Sequence, residues 1–212
     1  LRNILLRRRK RDMLPNLPPV MSTDLAINLN QEEKRVYKGL EGDFLKWWDE
    51  EVKGNKFAVQ LHKGIAISKL HALRLYAIKP KLRKIRSLTD EILERGEKVV
   101  IATTYREPAQ DISDMFGTSQ VCYIDGSVSG LDRARRIYEF QNNPDKKVAV
   151  ITEAGSQSIT MTAANNLIIV NDPWTWAAKQ QTIDRLHRIG QRKQVNVINL
   201  MARGTVDFHI RR

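Results

Sequence analysis

Lys98-Val-Val-Ile-Ala-Thr-Thr-Tyr105 is the stretch on which the fold turns. Four small or β-branched apolar residues follow one another without alternation, and two threonines and an aromatic follow them. An unbroken apolar run this short is the signature of a strand buried on both faces. Four similar runs succeed it: Val121–Ile124, Val148–Thr152, Leu167–Val170 and Val195–Leu200. Between them, helical stretches are expected near Pro108–Met115, Leu131–Gln141, Thr162–Asn165 and Thr175–Arg188. Five buried strands alternating with helices predict an α/β fold with a parallel sheet covered on both faces. In such sheets ligands gather outside the carboxyl ends of the strands. Thr103-Thr104, Asp125-Gly126, Glu153-Ala154-Gly155 and Asn171-Asp172 would fall there.

Upstream of Lys98 the pattern changes. Pro15, Pro18 and Pro19 read as an extended connector, Asn30-Gln-Glu-Glu reads as a helix start, and apolar residues recur at helical spacing through Trp47-Trp48. The chain therefore divides into a connector over 1–30, a helical segment over 31–86, and a sheet domain over 87–212. There is no internal repeat and no low-complexity tract. With 212 residues, 42% of them hydrophobic, there is enough apolar material for one large core and a smaller appendage.

The net charge of +12 is unevenly placed. Arg2, Arg7, Arg8, Arg9, Lys10 and Arg11 face only Asp12 within the first twelve residues. From Val52 to Arg86 there are ten lysines and arginines and no acid, so the remainder of the chain is slightly acidic. A basic block beside a near-neutral body suits nucleic acid, and equally a membrane surface or an acidic protein. The single cysteine, Cys122, lies in an apolar run, which excludes internal disulfides and cysteine-rich metal sites and fits a packing role in a reducing compartment. No apolar stretch approaches the ~20 residues of a membrane span. Leu1–Arg11 is too short and too charged for a signal peptide. An intracellular location, a monomer, and an origin as part of a longer chain are the expectations.

The most specific stretch is Gln181-Thr-Ile-Asp-Arg-Leu-His-Arg-Ile-Gly-Gln191. If helical throughout, it places Gln181, Arg185 and Arg188 on one face at i, i+4 and i+7. Like charges at such spacing cost an isolated helix roughly 0.2–0.5 kcal/mol, so the pattern makes sense opposite a polyanion such as a triphosphate.

Taken in order, five stretches resemble the second RecA-like lobe of superfamily 2 helicases, and within them the SWI/SNF-type DNA translocases. They are Leu6-Arg-Arg-Arg-Lys with Leu17-Pro-Pro, Lys98 to Tyr105, Asp125-Gly-Ser with Arg133 and Phe140, Thr152-Glu-Ala-Gly, and Trp174 with Gln181 to Gln191. The resemblance covers nearly the whole chain and is weakest from Glu41 to Ala77. It implies that ATP lies in a cleft between two lobes and that Arg185 and Arg188 are arginine fingers for its γ-phosphate. Gly155, Gln181, Asp184 and Gln191 would line the nucleotide, with His187 and Gln191 buttressing the fingers. Thr103, Thr104, Gly126, Thr152 and Ser156 would meet the DNA backbone. Lys63 and Lys69, in a basic helical protrusion over 31–86, would lie beside the duplex, and 1–30 would be the inter-lobe linker.

Alternatives stand beside several of these. The arginines could form salt bridges with acids such as Asp184, the threonines could be helix caps, and the basic protrusion could be a solvated face. Trp174 and Trp176 read as core or cleft-wall packing, or as an adenine platform. The chain departs from the family pattern at Ser156 and Ser158 where glycines are usual, at Thr160 where asparagine is usual, and at Trp176 where proline is usual.

Neither a Gly-x-x-x-x-Gly-Lys-Ser/Thr loop nor an Asp-Glu-x-His pair occurs. The phosphate cradle and the Mg2+ carboxylates are therefore expected on a first RecA-like lobe outside this chain, with no metal held here and no ATP hydrolysis by this part alone. The implied partners are double-stranded DNA and that first lobe. The implied location is the nucleus in a eukaryote and the cytoplasm, or host cytoplasm, otherwise. Two other classes remain open: a non-catalytic nucleic-acid-binding module, and the second lobe of an RNA helicase.

Overall fold

The structure is a computed structural model that describes residue 14 and residues 16–53, 62–156 and 159–210. Arg7–Lys10, Phe57 and Ser158 lie outside the described residues, as do the readings placed on them. The sheet has six strands, all parallel: β1 (Val20–Ile27), β2 (Val99–Thr103), β3 (Val121–Ile124), β4 (Val148–Thr152), β5 (Asn166–Ile169) and β6 (Val195–Ala202), in the order β1-β6-β5-β2-β4-β3. The parallel sheet is as expected, but its strand count is not five. Val20–Ile27, read as connector, runs alongside β6 from Val20↔Val195 to Ile27↔Ala202. It is an edge strand whose first five residues are exposed, so it carries no apolar run to betray it.

Strands β2, β4 and β5 are buried at every position. Alternation sends Val100, Ala102, Ile151 and Leu167 into one core with Phe140 and Leu186, and Val99, Ile101, Val150 and Ile168 into the other with Ile85, Ile92 and Ile112. Helices α5 (Gly130–Asn142) and α6 (Trp176–Leu186) cover the first face; α3 (Leu82–Glu94) and α4 (Arg106–Asp114) cover the second. The helix expected at Thr162–Asn165 is a turn instead, closed by the Ala164 amide on the Met161 carbonyl at 3.1 Å. Four residues of mixed polarity between two buried segments leave no room for a helical face.

The helical segment begins as expected. Asn30 caps α1 (Gln31–Glu51) with a reciprocal capping box, Oδ1 accepting from the Glu33 amide at 2.7 Å and Glu33 Oε2 from the Asn30 amide at 2.8 Å. Helix α2 (Lys63–Tyr76) packs on α1 through Tyr37, Leu73 and Ala77, in a cluster that also takes in Ala202 at the end of β6. Tyr37 Oη accepts from the Val206 amide, the first of the short C-terminal helix α7 (Val206–Ile210), at 2.7 Å. The segment is thus fastened to the sheet edge, and α3 runs straight across the boundary drawn at 86/87.

Two of the ten cations read as a basic surface are core residues. Arg74 is 1% exposed and Lys81 is fully buried. Lys81 Nζ donates to Asp207 Oδ2 at 2.6 Å and to the carbonyls of Val170 at 2.6 Å and Leu200 at 3.0 Å. It pins the turn before α3 to the ends of β5 and β6. No helix is long and apolar enough to cross a membrane among the described residues.

Candidate functional site

Parallel register brings the ends of β2 and β4 together, Thr103 opposite Thr152, with β5 alongside. Thr103, Thr104, Thr152, Glu153, Ser156 and Asn171 line one small recess there. Asn171 knots it. Its Oδ1 accepts from Thr103 Oγ1 at 2.7 Å and from the Thr104 amide at 3.2 Å, while its Nδ2 donates to Thr104 Oγ1 at 2.7 Å. Thr103 is 3% exposed and its hydroxyl proton is committed inward. Thr104 is half-buried, and because its oxygen accepts from Asn171 its own proton is left to donate outward. Of the two threonines expected at phosphate, Thr104 is the one equipped for it.

The turn after β4 is built differently from the expectation. Thr152 Oγ1 accepts from the Gly155 amide at 3.1 Å, and Ser156 Oγ donates to the Glu153 carbonyl at 2.7 Å. Thr152, Gly155 and Ser156 are all buried, with these groups spent inside the turn. A Cβ on Gly155 would stand 2.4 Å from the Ile124 carbonyl oxygen. Glycine is needed there so that the turn can lie on the end of β3, not so that a ligand can approach the amide. The Gly155 amide and the Ser156 hydroxyl are thus engaged within the turn, whereas the Thr152 hydroxyl accepts and keeps its own proton.

Gly126 is exposed, and a Cβ on it would meet Ala154 Cβ at 3.0 Å, so the turns after β3 and β4 touch. Its own turn is anchored by Asp125, which accepts from Ser127 N at 2.9 Å, Ser127 Oγ at 2.7 Å, Tyr123 Oη at 3.1 Å and Arg106 Nε at 2.9 Å. Burial pushes the Asp125 carboxyl up, but the bonds from Ser127 and Tyr123 and the charge of Arg106 together outweigh it and hold the group below its ordinary value. Arg106 escaped sequence reasoning, since nothing in its neighbours marks it as a partner of Asp125.

The arginine motif lies elsewhere. Helix α6 starts after β5, capped by Thr175 Oγ1 accepting from Ala178 N at 3.1 Å, and runs back toward the amino ends of β1 and β6. There His187 Nε2 meets the Pro18 carbonyl at 2.8 Å and Val195 N donates to the Pro19 carbonyl at 3.0 Å. Arg185 and Arg188 are thus at the far end of α6 from the strand-end hydroxyls, and not at the carboxyl ends of the strands. Moreover, α6 stops at Leu186, with His187 at ψ 74°, so Arg188 leaves the helical face that Gln181 and Arg185 share. Gly190, at φ +103°, completes the turn.

Arg185 is half-buried, its Nε buried without a hydrogen-bond partner. Arg188 is exposed and donates from Nη1 to Thr160 Oγ1 at 3.2 Å. Gln191 is 7% exposed and fully spent: Nε2 donates to the carbonyls of Thr162, Ala164 and Leu186, and Oε1 accepts from the amides of Arg192 and Lys193. It shapes the turn that carries Arg188, the buttressing role expected of it. Gln181 is exposed on α6, and Asp184 accepts from Gln180 Nε2 at 3.1 Å.

On the helical segment, Lys63 is exposed in the first turn of α2 and Lys69 Nζ sits over the Trp47 ring, 5.5 Å from its centroid. Neither Trp174, 46% exposed, nor Trp176, 76% exposed, is a core residue. With Val20, Lys179 and Ile183 they border a groove of about 490 Å³ between α6 and β1. Cys122 is buried and its thiol is pushed up to about 12 by burial, in keeping with the packing role expected of it. No group of three or more His, Cys, Asp or Glu that could hold a metal occurs among the described residues.

Residues 82–190 match the helicase conserved C-terminal domain. The DNA repair protein rad8 of Schizosaccharomyces pombe is 32% identical over 161 residues, 74% of this chain and 14% of that protein. The mouse DNA annealing helicase and endonuclease ZRANB3 is 29% identical over 211 residues, 98% of this chain and 19% of that protein. The chain thus spans less than a fifth of the length of these relatives. Among solved structures, the Sulfolobus solfataricus SWI2/SNF2 ATPase core in complex with dsDNA superposes with a TM-score of 0.74 at 28% identity, over 99% of this chain and 47% of that one. A parallel six-stranded sheet, the arginine motif at the foot of α6 and these likenesses converge: the chain belongs to the helicase conserved C-terminal domain family, as a RecA-like C-terminal lobe of the SWI2/SNF2 type.

Proposed function

We propose that this lobe is the second half of an ATP-dependent double-stranded-DNA translocase, presenting Arg185 and Arg188 to nucleotide held by a first lobe. The observation that carries the reading is the exposed guanidinium of Arg188, set on a turn that Gln191 braces with five hydrogen bonds and held, among the described residues, by a single bond to Thr160. A planar, always-charged fork on a rigid base, free to swing from one weak partner, suits a triphosphate. Arg185, whose Nε is buried without a partner, is the second group suited to the same anion. Phosphoryl transfer asks the protein for positioning and charge stabilisation, and a finger arginine supplies about 10³–10⁵ in turnover. Mg2+ would neutralise phosphate charge when bound, and its carboxylates are assigned to the first lobe because the family's Asp-Glu-x-His pair lies outside this sequence.

DNA is assigned to the other end of the lobe. Thr104 Oγ and the exposed Gly126 turn offer donors to backbone phosphate, without reading bases. Lys63 and Lys69 extend the positive surface along α2. The solved neighbour's complex with dsDNA favours a duplex over RNA. Work in the nucleus of a eukaryote, or in the cytoplasm otherwise, belongs to the same reading.

The test is ATP hydrolysis by the full-length protein with double-stranded DNA, single-stranded RNA or no nucleic acid. Stimulation by duplex DNA, and none by this lobe alone, is expected. Preference for RNA would make it an RNA helicase lobe, and an unstimulated protein that still binds DNA would make it a binding module.

A further inference from the structure

One turn of α2 grips two loops that the proposed function treats separately. Arg74, 1% exposed, donates from Nη2 to the Asp172 carbonyl, and its guanidinium carbon lies 4.1 Å from the Trp174 ring centroid and 5.7 Å from that of Tyr105. Three residues earlier, His71 stacks on Trp174 with centroids 6.1 Å apart and planes 20° apart, and meets Tyr105 edge-on at 5.5 Å. Tyr105 follows Thr103-Thr104 and caps α4. Trp174 sits between β5 and α6, the helix that ends at the finger arginines. The helical insertion, the loop after β2 at Tyr105 and the loop before the finger helix at Trp174 therefore meet on a single guanidinium.

Stability does not explain the choice of arginine. Its Nε and Nη1 are buried without hydrogen-bond partners, as is the Tyr105 hydroxyl. The void bordered by Arg74, Asp172, Leu200, Met201 and Asp207 has no room for a water. Unpartnered buried donors cost free energy that the cation–π contacts offset only in part, and an apolar side chain of similar length would avoid the cost. What the fork adds is simultaneous contact with both loops, the Asp172 carbonyl and Trp174 on one side and Tyr105 on the other. The Asp172 and Asp207 carboxylates that line the same void are held by Lys179 and Lys81.

We propose that Arg74 is a positioning residue that couples the loop after β2 to the loop before α6, so that DNA at the strand ends and the presentation of Arg185 and Arg188 change together. The inference rests on the translocase reading. Arg74 touches neither DNA nor nucleotide in this account.

The test uses the full-length protein carrying Arg74→Met or Arg74→Lys, with melting temperature, basal ATPase rate, maximal duplex-stimulated rate and half-stimulating DNA concentration measured for each. Arg74→Met is expected to keep the melting temperature, the basal rate and the half-stimulating concentration, and to lower the maximal stimulated rate by about 5- to 150-fold, the usual range of a coupling between sites. Arg74→Lys, with the charge but not the fork, should recover part of it. If Arg74→Met does not fold, Arg74→Lys carries the test: a lower stimulated rate at an unchanged basal rate supports coupling, and an unchanged one overturns it. Proportional loss of stability and of every rate would show a merely structural role and overturn the inference. Full stimulation in Arg74→Met overturns the coupling alone, whereas a wild type that duplex DNA does not stimulate overturns the translocase reading and the coupling with it.

Discussion

Removing the carboxylate of Asp207 should be among the most damaging single changes to this lobe. Lys81 Nζ is fully buried, 2.6 Å from Asp207 Oδ2 and 2.6 and 3.0 Å from the Val170 and Leu200 carbonyls. Burial pulls the ammonium below its ordinary lysine value, and Asp207 pulls it back. The same Oδ2 accepts from the Ala202 amide at 2.9 Å. Breaking a buried pair from one side costs about 3–5 kcal/mol, because the remaining charge is left uncompensated. The orphaned Ala202 N–H adds about 1 kcal/mol or more. At about 2–4 °C per kcal/mol for a chain of this size, the total of about 4–6 kcal/mol should lower the Tm of Asp207→Ala by about 8–24 °C. Lys81→Met should destabilise too, leaving Asp207 and two carbonyls short of a donor, and the double variant should lose less than the two singles together, with a coupling of about 0.5–3 kcal/mol. Thermal and urea unfolding followed by circular dichroism measures all three. Strictly additive effects, or an Asp207→Ala variant within about 0.5 kcal/mol of wild type as for a surface site, would refute the reasoning.

Two further outcomes follow from the strand-end geometry. Gly155→Ala puts a Cβ 2.4 Å from the Ile124 oxygen and 2.9 Å from Asp125 Cα, both backbone atoms, so the turn must move. A loss of about 1–3 kcal/mol is expected in urea unfolding, the range for overpacking, and an unchanged midpoint would show that the turn gives way freely. Asp125 and Glu97 are both held below their ordinary carboxyl values. In Glu97, bonds from Asn166, Lys193 and Asn165 outweigh a burial that pushes it up. Their folded values lie below their unfolded ones, so the stability they add is complete above about pH 5 and is lost as the pH falls through the unfolded and then the folded values. Tm measured from pH 7 down to pH 2 should show that loss, and Asp125→Asn with Glu97→Gln should flatten it.

Much of this was legible from the chain and some was not, for reasons visible at particular residues. The buried runs at β2, β4 and β5 announce themselves because both faces of a central parallel strand are covered and no polar residue interrupts them. β1 is equally regular, yet Val20-Met-Ser-Thr-Asp-Leu-Ala-Ile27 lies on an exposed edge and mixes polar with apolar, so only its partner β6 reveals it. Charge counting found the basic run but could not tell Lys63, on the surface, from Arg74 and Lys81, whose partners Asp172 and Asp207 are about a hundred or more residues away. The eleven-residue arginine motif was rightly singled out as one unit, but its helical reading fails after Leu186, where the Gln191 side chain organises a turn that no periodicity encodes. The glycine of Thr152-Glu-Ala-Gly155 is legible as a small-residue turn, but its close approach to the Ile124 carbonyl depends on the pairing of β3 with β4, which the local sequence does not encode.

The central claim concerns Arg188. The direct measurement is steady-state ATP hydrolysis by the full-length protein at saturating duplex DNA, wild type against Arg188→Ala, with nucleotide affinity and Tm determined in parallel. The finger role predicts a fall in kcat of about 10³ or more, with the melting temperature unchanged because, among the described residues, this exposed side chain makes only the Thr160 hydrogen bond at its tip. A kcat equal to that of wild type would contradict it and leave this lobe as a DNA-binding module.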